Sequence, residues 1–461
     1  MTKNLERICN IIDQDRINIV SCLQELIRIK SVAGEPAEGM PFGMEVDRAL
    51  RYCLQLSEQY GLVTRNIDGF GGHCELAGTQ DEGRKGEIIS TLVHVDVVEA
   101  GEGWTHNPFN AEIDNDSIFG RGAIDDKAAA IASIFALKAI RESRVQIRNR
   151  LRVIFGTDEE TNWIGIKKYF SVEEQPTMGF TPDAVFPVVN KEKGIIDFAL
   201  HFCYDKTKTA ITNIQGGDGI NKIPDSCEIR CLDGNCREVI MKATGKAAHI
   251  SEPEKGKSAI DEAFMKIHPL LEKDDSLSPL VEFYTKYFIC TKDGLKLNPK
   301  GSKNEMDKST LCIGKISTKM FEASGQEISE VILEGSIRYP EPINPNKIIS
   351  KLERRVTGIG GKLKLYEVME PISMDEESFI IRQLLRSYTY ITKDFHNKPI
   401  AIGGTTYAKS CRNIVAFGPA MPGKEYGAHM PEEHIHIDEL MDTTKVIAAA
   451  LYFLDSQDQT E

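Results

Sequence analysis

Two continuous runs of β-branched and other apolar residues constrain the fold of this chain more than any other feature of its sequence. Residues 88–98 are Ile-Ile-Ser-Thr-Leu-Val-His-Val-Asp-Val-Val, and residues 151–156 are Leu-Arg-Val-Ile-Phe-Gly. Such runs are typical of central strands that are covered on both faces. An alanine-rich helical pattern over Asp126–Glu142 separates them. Because strands alternate with helices, the sequence predicts an α/β layer architecture.

The pattern changes near Gly194 and changes back after Pro371. Segments such as 194–204 and 330–339 alternate apolar and polar residues, as antiparallel strands do, and helical patterns lie among them. The simplest interpretation is an α/β domain made of residues 1–190 and 372–461, interrupted by an inserted α+β domain at residues 191–371.

Polar side chains that can bind metals stand where the predicted strands end. His94 and Asp96 close the first run, and Glu159 and Glu160 follow the second. In an open α/β sheet, ligands bind outside the carboxyl ends of the strands. Further candidates are Asp125 and Asp126 after a glycine-containing turn, Asp183 before a short predicted strand at 184–189, and His429 in a downstream loop.

Histidine with carboxylates, and without thiolate, suits Zn²⁺, Mn²⁺ or Co²⁺. The adjacent pair Glu159–Glu160 would let one acid bind metal while its neighbour carries protons. The alternative is that these acids are helix caps and surface charges, which Asp and Glu favour near helix N-termini. That alternative would suffice for any single acid, but the ordered set at strand ends favours a metal site.

Five strings resemble those of a known superfamily of dinuclear metallo-exopeptidases, which includes carboxypeptidase G, aminoacylase and succinyl-diaminopimelate desuccinylase. Within it, the chain resembles the bacterial Xaa-His dipeptidases of the PepV type. The strings are Leu92-Val-His-Val-Asp-Val-Val, Gly120-Arg-Gly-Ala-Ile-Asp-Asp-Lys, Gly156-Thr-Asp-Glu-Glu-Thr, Thr181-Pro-Asp-Ala-Val-Phe-Pro and Tyr426-Gly-Ala-His-Met. The resemblance implies a metallo-exopeptidase catalytic domain of the α/β class with an inserted α+β lid domain.

The resemblance also implies two metal ions, Zn²⁺ by default, with Mn²⁺ or Co²⁺ as alternatives. Asp125 would bridge the two ions, through a cis peptide to Asp126. The remaining ligands would be His94 and Asp183 for one ion, and Glu160 and His429 for the other.

Two further acids receive roles from the same resemblance. Glu159 would be the general base, which takes a proton from the bridging water and later gives it to the leaving amine. Asp96 would orient His94, as partners of metal-binding histidines do.

The inserted domain supplies three candidates. His249, in Gly245-Lys-Ala-Ala-His, resembles a lid histidine that donates to the oxyanion of the tetrahedral intermediate. Arg338, in Gly335-Ser-Ile-Arg-Tyr-Pro, resembles an arginine that binds the free C-terminal carboxylate of the substrate. Asn221 is a candidate for substrate contact in the same pattern. The alternatives are an ordinary loop histidine and a strand arginine in an ion pair.

The function implied is that of a metal-dependent dipeptidase, in which a hydroxide bridging two metal ions attacks the peptide carbonyl. The alternative is an N-acyl amino-acid deacylase or related amidohydrolase on the same fold. A non-catalytic binding protein is disfavoured because the five ligands and Glu159 are all present. No Gly-x-Ser-x-Gly string suggests a serine nucleophile.

The resemblance implies a small peptide substrate as the partner, and composition argues against nucleic-acid and membrane partners. With 69 acidic against 56 basic residues and a net charge of −13, the chain is a poor candidate for nucleic-acid binding. No apolar run approaches the ~20 residues that cross a bilayer, so no membrane partner is expected. Eleven scattered cysteines, an odd number, and no visible secretory signal predict a cytoplasmic protein. The large insert resembles a built-in substitute for a partner subunit, which predicts a monomer.

Overall fold

The computed structural model describes residues 2–79, 87–250, 253–289, 305–323 and 326–456. The chain divides into two compact units. Unit 1 comprises Met1–Asn190, Met374–Ile400 and Thr405–Glu461, and unit 2 comprises Lys191–Ser373 and Ala401–Gly404.

The first part of unit 1 alternates helices with strands. Its helices are α1 Thr2–Gln14, α2 Arg16–Ile27, α3 Met44–Gln59, α4 Lys127–Glu142 and α5 Ile164–Val172. Its strands are β1 Val63–Asn66, β2 Gly72–Leu76, β3 Ile88–His94, β4 Glu112–Asp114, β5 Ser117–Phe119, β6 Arg150–Gly156, β7 Met178–Thr181, β8 Ala184–Val185 and β9 Val189–Glu192, the last of which runs on into unit 2.

Unit 2 continues with mostly long strands. They are β10 Gly194–Tyr204, β11 Ile211–Gly216, β12 Lys222–Ile223, β13 Ser226–Leu232, β14 Glu238–Thr244, β15 Ala248–His249, β16 Thr310–Ala323, β17 Gln326–Tyr339, β18 Lys362–Met369 and β19 Ile372–Ser373. Its helices are α6 Ala259–Ile267, α7 Ser278–Tyr284 and α8 Pro345–Thr357.

The chain then completes unit 1. The remaining helices are α9 Phe379–Thr392 and α10 Ile437–Asp455, and the remaining strands are β20 Ile400–Ile402, β21 Ile414–Ala416, β22 Pro419–Ala420 and β23 His434–His436. The last two residues of β20 belong to unit 2.

The main sheet of unit 1 has the strand order β1-β2-β6-β3-β7-β21-β9. Its centre is parallel, because β3 pairs in parallel with β6 and β7, and β21 pairs in parallel with β7. All seven residues of β3 are buried. The sequence prediction of a doubly covered central strand is therefore confirmed.

Helix α4 covers the sheet beside β3. It is buried from Lys127 to Ile140, and its alanines allow close approach because they carry only a methyl group. Helices α1, α2 and α10 pack on it. This arrangement holds Asp125, which lies just before α4, at the carboxyl end of the sheet.

The short strand predicted at 184–189 is wrong in one respect, because it is two strands. Residues Ala184–Val185 pair in parallel with Pro419–Ala420, whereas Val189 pairs with Ala416 in the main sheet. Pro187 lies between them, and since proline has no N–H to donate, it cannot continue a paired strand.

Unit 2 contains an antiparallel sheet of strand order β14-β13-β11-β16-β17-β10-β18. Helices α6, α7 and α8 contribute buried residues to its hydrophobic core, which includes Phe198, Phe264, Leu333 and Val356. Together, the mixed sheet of unit 1 and the antiparallel sheet of unit 2 give the α/β and α+β classes that the sequence predicts.

Phe264 in α6 is expected to stabilise unit 2 strongly. It is fully buried, and its ring stacks on Tyr284 with centroids 3.9 Å apart. Phe264→Ala leaves a cavity and should lower the free energy of unfolding by ~3–5 kcal/mol. The control is Met265→Ala, which changes a 50% exposed neighbour and should cost about 0.5 kcal/mol or less. Urea unfolding followed by far-UV circular dichroism measures both, and equal losses would contradict the assigned core.

Candidate active site

The predicted metal ligands of unit 1 meet at the carboxyl ends of neighbouring parallel strands. His94 is the last residue of β3 and is aligned with Gly156, the last residue of β6. Glu159 and Glu160 follow β6, and Asp183 follows β7. The strand register therefore brings together residues that are distant in the sequence.

Asp125 lies between two histidines from separate segments. Its Oδ1 is 3.0 Å from Nε2 of His94, and its Oδ2 is 3.1 Å from Nε2 of His429. The same nitrogen of His429 is 2.9 Å from Oε1 of Glu160, and Nε2 of His94 is 3.9 Å from Oδ1 of Asp183. Each oxygen of one carboxylate thus faces a different imidazole, which is the arrangement that a bridging ligand needs.

The backbone on either side of Asp125 has two notable features. The peptide bond from Asp125 to Asp126 is cis. The carboxylate of Asp126 accepts a hydrogen bond from the main-chain N–H of His94 at 3.2 Å. Asp126 therefore connects the start of α4 to the end of β3.

Asp96 contacts both His94 and the segment that carries the paired glutamates. The nearest contact of His94 Nδ1 is the main-chain oxygen of Asp96, at 3.0 Å, and the Asp96 carboxylate is 3.5 Å away. That carboxylate accepts hydrogen bonds from the main-chain N–H groups of Glu159 at 3.2 Å and Glu160 at 3.1 Å. With Nδ1 donating to Asp96, Nε2 of His94 keeps its lone pair for a metal.

Acidic groups outnumber basic ones in this cluster, and burial perturbs their protonation. Burial and neighbouring acids raise the pKa of Asp126, Glu159 and Asp183. Burial, with a contribution from Asp125, raises the pKa of Glu160 to about 7. Burial acts in the same direction on Asp125, but hydrogen bonds from the two histidines outweigh it and lower its pKa.

The cluster offers ligands for divalent cations, in two groups of three residues that share His94. The atoms of His94, Asp125 and Glu160 that can bind a metal lie within 4.8 Å of one another, and so do those of His94, Glu159 and Asp183. The donors are imidazole nitrogen and carboxylate oxygen, the set that suits Zn²⁺, Mn²⁺ or Co²⁺. Oδ1 of Asp126 is buried without a hydrogen-bond donor among the described residues, so cations would offset an excess of buried negative charge.

The sequence interpretation missed Tyr407 and Asp158. The Tyr407 ring stands edge-on to His94 at 6.3 Å between centroids, and its hydroxyl donates to Asp158 at 3.5 Å. A side chain at Gly156 would meet this ring at 2.2 Å. The signal available in the sequence was Gly156 itself, because a glycine at the end of a buried strand often marks a close approach.

The missed pair Arg121 and Glu433 is buried beside the cluster. The Arg121 guanidinium donates to the Glu433 carboxylate at 2.5 Å, and the same carboxylate accepts from the main-chain N–H of Asp125 at 3.2 Å. Arg121 belongs to one string that carries the family resemblance, and Glu433 lies three residues after the end of another, but the sequence did not show their contact.

Unit 2 brings its three predicted residues into one region. The main-chain oxygen of Asn221 accepts from the N–H of Ile250 at 2.9 Å, and Lys222 pairs with His249. Arg338 pairs with Thr310, whose hydroxyl donates to the main-chain oxygen of Ile250 at 3.3 Å. His249 and Asn221 are exposed, whereas Arg338 is buried. Burial lowers the pKa of Arg338, against an opposing contribution from the nearby Asp197 carboxylate.

Comparison with known proteins identifies the family. The model of peptidase family M20/M25/M40 matches residues 91–452, and the chain belongs to this family. A relative from Bacillus subtilis, named "Putative dipeptidase YtjP", is 34% identical over 471 residues, with 95% of this chain and 97% of the relative covered.

Solved structures share the fold. The dipeptidase Dug1p from Saccharomyces cerevisiae superposes with a TM-score of 0.64 at 13% identity, covering 100% of both chains. Human carnosine dipeptidase 1 gives a TM-score of 0.62 at 14% identity, covering 98% of both chains. These structures confirm the predicted fold class, and the family match confirms the predicted superfamily.

Among the described residues, no helix has the length and apolar character needed to span a membrane.

Metal binding at this cluster is expected to release protons. Partial burial opposes the charged form of His429, but hydrogen bonds with Asp125 and Glu160 outweigh it and raise its pKa to about 11. The metal-free imidazole is therefore protonated at pH 7, whereas a ligating imidazole must be neutral. Calorimetric titration with Zn²⁺ in two buffers of different ionisation enthalpy should show release of about one proton or more.

The raised pKa of His429 determines the direction in which metal affinity and protein stability change with pH. Apparent metal affinity should rise with pH, because protons compete for His429. In the metal-free protein, the His429 contribution to stability is complete below its ordinary pKa of 6.5 and is lost as the pH rises through about 11. Binding without proton release, or affinity that does not depend on pH between 6 and 8, would contradict this assignment.

Proposed function

We propose that this protein is a metal-dependent dipeptidase that hydrolyses dipeptides with a free C-terminal carboxylate. The observation that carries the proposal is the Asp125 carboxylate, whose two oxygens each face a histidine from a different segment. Membership of peptidase family M20/M25/M40 supports it, and so does a relative named as a dipeptidase that matches over almost the whole chain.

Five residues are assigned as ligands of two cations. Asp125 would be shared, His94 and Asp183 would complete one set, and Glu160 and His429 would complete the other. Zn²⁺ is the default, with Mn²⁺ or Co²⁺ as alternatives that the same donors accept. When bound, two such cations polarise a carbonyl and lower the pKa of the attacking water.

Glu159 is assigned as the general base. Its carboxyl group lies beside His94 and Asp183, and burial raises its pKa, as suits a carboxyl group that must accept and return a proton. Glu159 would take a proton from the attacking water and deliver it to the leaving amine. Asp96 fixes the backbone at Glu159, so the base has a defined position.

The two predicted domains receive different tasks in this proposal. Residues 1–190 and 372–461 would form the catalytic domain, and residues 191–371 the lid. From the resemblance, His249 would donate to the oxyanion, Arg338 would bind the substrate carboxylate, and Asn221 would contact the substrate. The buried guanidinium of Arg338 supports its role, because a carboxylate binds more strongly to a cation that is shielded from water.

We also propose that the protein acts as a cytoplasmic monomer. The ten described cysteines are free thiols, as a reducing compartment would leave them. If the monomer is complete, mixing inactive His249→Ala chains with inactive Glu159→Ala chains should restore no activity, and recovery would count against this proposal.

A substrate panel should separate the proposed function from its alternative. Purified protein loaded with Zn²⁺, Mn²⁺ or Co²⁺ should release amino acids from unblocked dipeptides faster than from N-acetyl or N-succinyl amino acids. A chelator should abolish both activities, and restored metal should recover them. Preference for the N-acyl substrates would instead support an amino-acid deacylase, and chelator-resistant hydrolysis would contradict a metal mechanism.

Glu159→Ala is expected to lower kcat on dipeptides by ~10²–10⁴-fold, because proton transfer by a positioned base contributes about that much. The variant should still bind two metals, since Glu159 is not assigned as a ligand. Glu87→Ala is the matched control, because Glu87 is exposed immediately before β3, whose opposite end carries His94. Unchanged turnover in Glu159→Ala would remove Glu159 from the role of base.

A further inference from the structure

Glu433 is a fully buried acid in the segment that carries His429. One of its carboxylate oxygens accepts hydrogen bonds from the main-chain N–H groups of Ile124 at 3.0 Å and Asp125 at 3.2 Å. The other oxygen accepts from Nη1 of Arg121 at 2.5 Å, and Arg121 is itself only 1% exposed. Glu433 lies four residues after the predicted ligand His429, and its side chain thus holds the backbone of another predicted ligand, Asp125.

The main chain around Glu433 strengthens this connection. Its carbonyl oxygen accepts from the N–H of Gly120 at 2.9 Å, and the next residue, His434, pairs with Phe119 in β5. The His429 segment is therefore attached along the strand and turn that lead to Asp125. Displacement of Glu433 would move His429 relative to Asp125.

His429 depends on such an attachment because its own conformation is unfavourable. Its φ is +60°, in the left-handed region that residues with a side chain seldom adopt, and φ at Glu432 is +63°. The side chain of His429 is 52% exposed, so its own packing contributes little to holding it. Residues in this region persist when the surrounding structure fixes them.

We infer that Glu433, paired with Arg121, is a positioning residue that fixes His429 against Asp125 and so sets the affinity of the second cation set. This inference rests on the proposed function. The effect should be larger on the set of Asp125, Glu160 and His429, because that set would contain His429. The set of Asp125, His94 and Asp183 would take its other two ligands from β3 and the segment after β7. Removing a group that orients a ligand typically weakens metal binding by ~10–100-fold.

Glu432 provides a matched control within the same segment. Its carboxylate lies 2.7 Å from Nδ1 of His106, accepts from the main-chain N–H of that residue at 3.2 Å, and is 34% exposed. Glu432→Gln and Glu433→Gln remove the same charge from adjacent positions. Of these two acids, Glu433 is the one that accepts a hydrogen bond from the main-chain N–H of Asp125.

The test is a Co²⁺ titration of the metal-free full chain, followed by visible absorption, with the metal-to-protein ratio measured after gel filtration. Wild type and Glu432→Gln should bind two Co²⁺ with affinities within about threefold of each other. Glu433→Gln should weaken binding of the second Co²⁺ by ~10–100-fold and binding of the first Co²⁺ by clearly less. In that variant, the amide N–H₂ must face either Arg121 or the N–H groups of Ile124 and Asp125, and each choice sets donor against donor.

Arg121→Lys keeps the positive charge and replaces Glu433→Gln as the deciding variant if the latter does not fold. It should weaken the second Co²⁺ in the same direction, since lysine cannot reproduce the planar guanidinium contact. Two Co²⁺ bound with wild-type affinity in the deciding variant would overturn the inference and leave the proposed function intact. Equal weakening of both cations, or equal effects in Glu432→Gln, would also overturn it. Fewer than two Co²⁺ in wild type would overturn both proposals.

Discussion

Several carboxyl groups of unit 1 are buried beside two imidazoles, and the rest of the site depends on this arrangement. Like charges held near one another in a poorly hydrated space repel, and each carboxyl group also loses water that stabilised its charge. The pKa values respond accordingly, rising at four of the carboxyl groups and falling only at Asp125, which has a histidine on each side. Such a cluster is costly as a purely structural feature, and divalent cations are the counter-charges that its donors suit.

Other acids support this cluster by accepting hydrogen bonds from the main chain. Asp96 holds the N–H groups of Glu159 and Glu160, and Glu433 holds those of Ile124 and Asp125. In the same way, Asp158 accepts from the N–H of Gly165 at the start of α5. Some acids near the site thus face the space between the two histidines, whereas others hold the main chain in place.

The sequence predicted the parts of this arrangement that depend on periodicity and strand order. The apolar runs of β3 and β6 indicated a parallel sheet, and the carboxyl ends of parallel strands lie at one edge, so the meeting of His94 with the segment after β6 followed. Strand β7, which precedes Asp183, was not predicted. The approach of His429 did not follow from any pattern and came only from family resemblance. The reason is that a loop has no periodicity from which its path can be calculated.

Other features depended on contacts that a sequence cannot show. Asp96 was expected to orient His94, but its carboxylate mainly holds the backbone of the paired glutamates, and its carbonyl oxygen makes the shorter contact with His94. The sequence did not show that the predicted strand at 184–189 is two strands, because the valine and phenylalanine residues around Pro187 favour a continuous strand. Arg121 and Glu433 lie more than three hundred residues apart, and only the folded chain shows their ion pair.

The path of the chain through unit 1 has a consequence for its synthesis. Strand β21, at residues 414–416, lies between β7 and β9 in the main sheet, and α10 packs on α4. A ribosome must therefore translate past residue 416 before β21 can enter this sheet, and the nascent polypeptide exposes apolar surface until then. His429 comes still later in the sequence, so the newly made protein can acquire its full metal-binding capacity only after residue 429 has been translated.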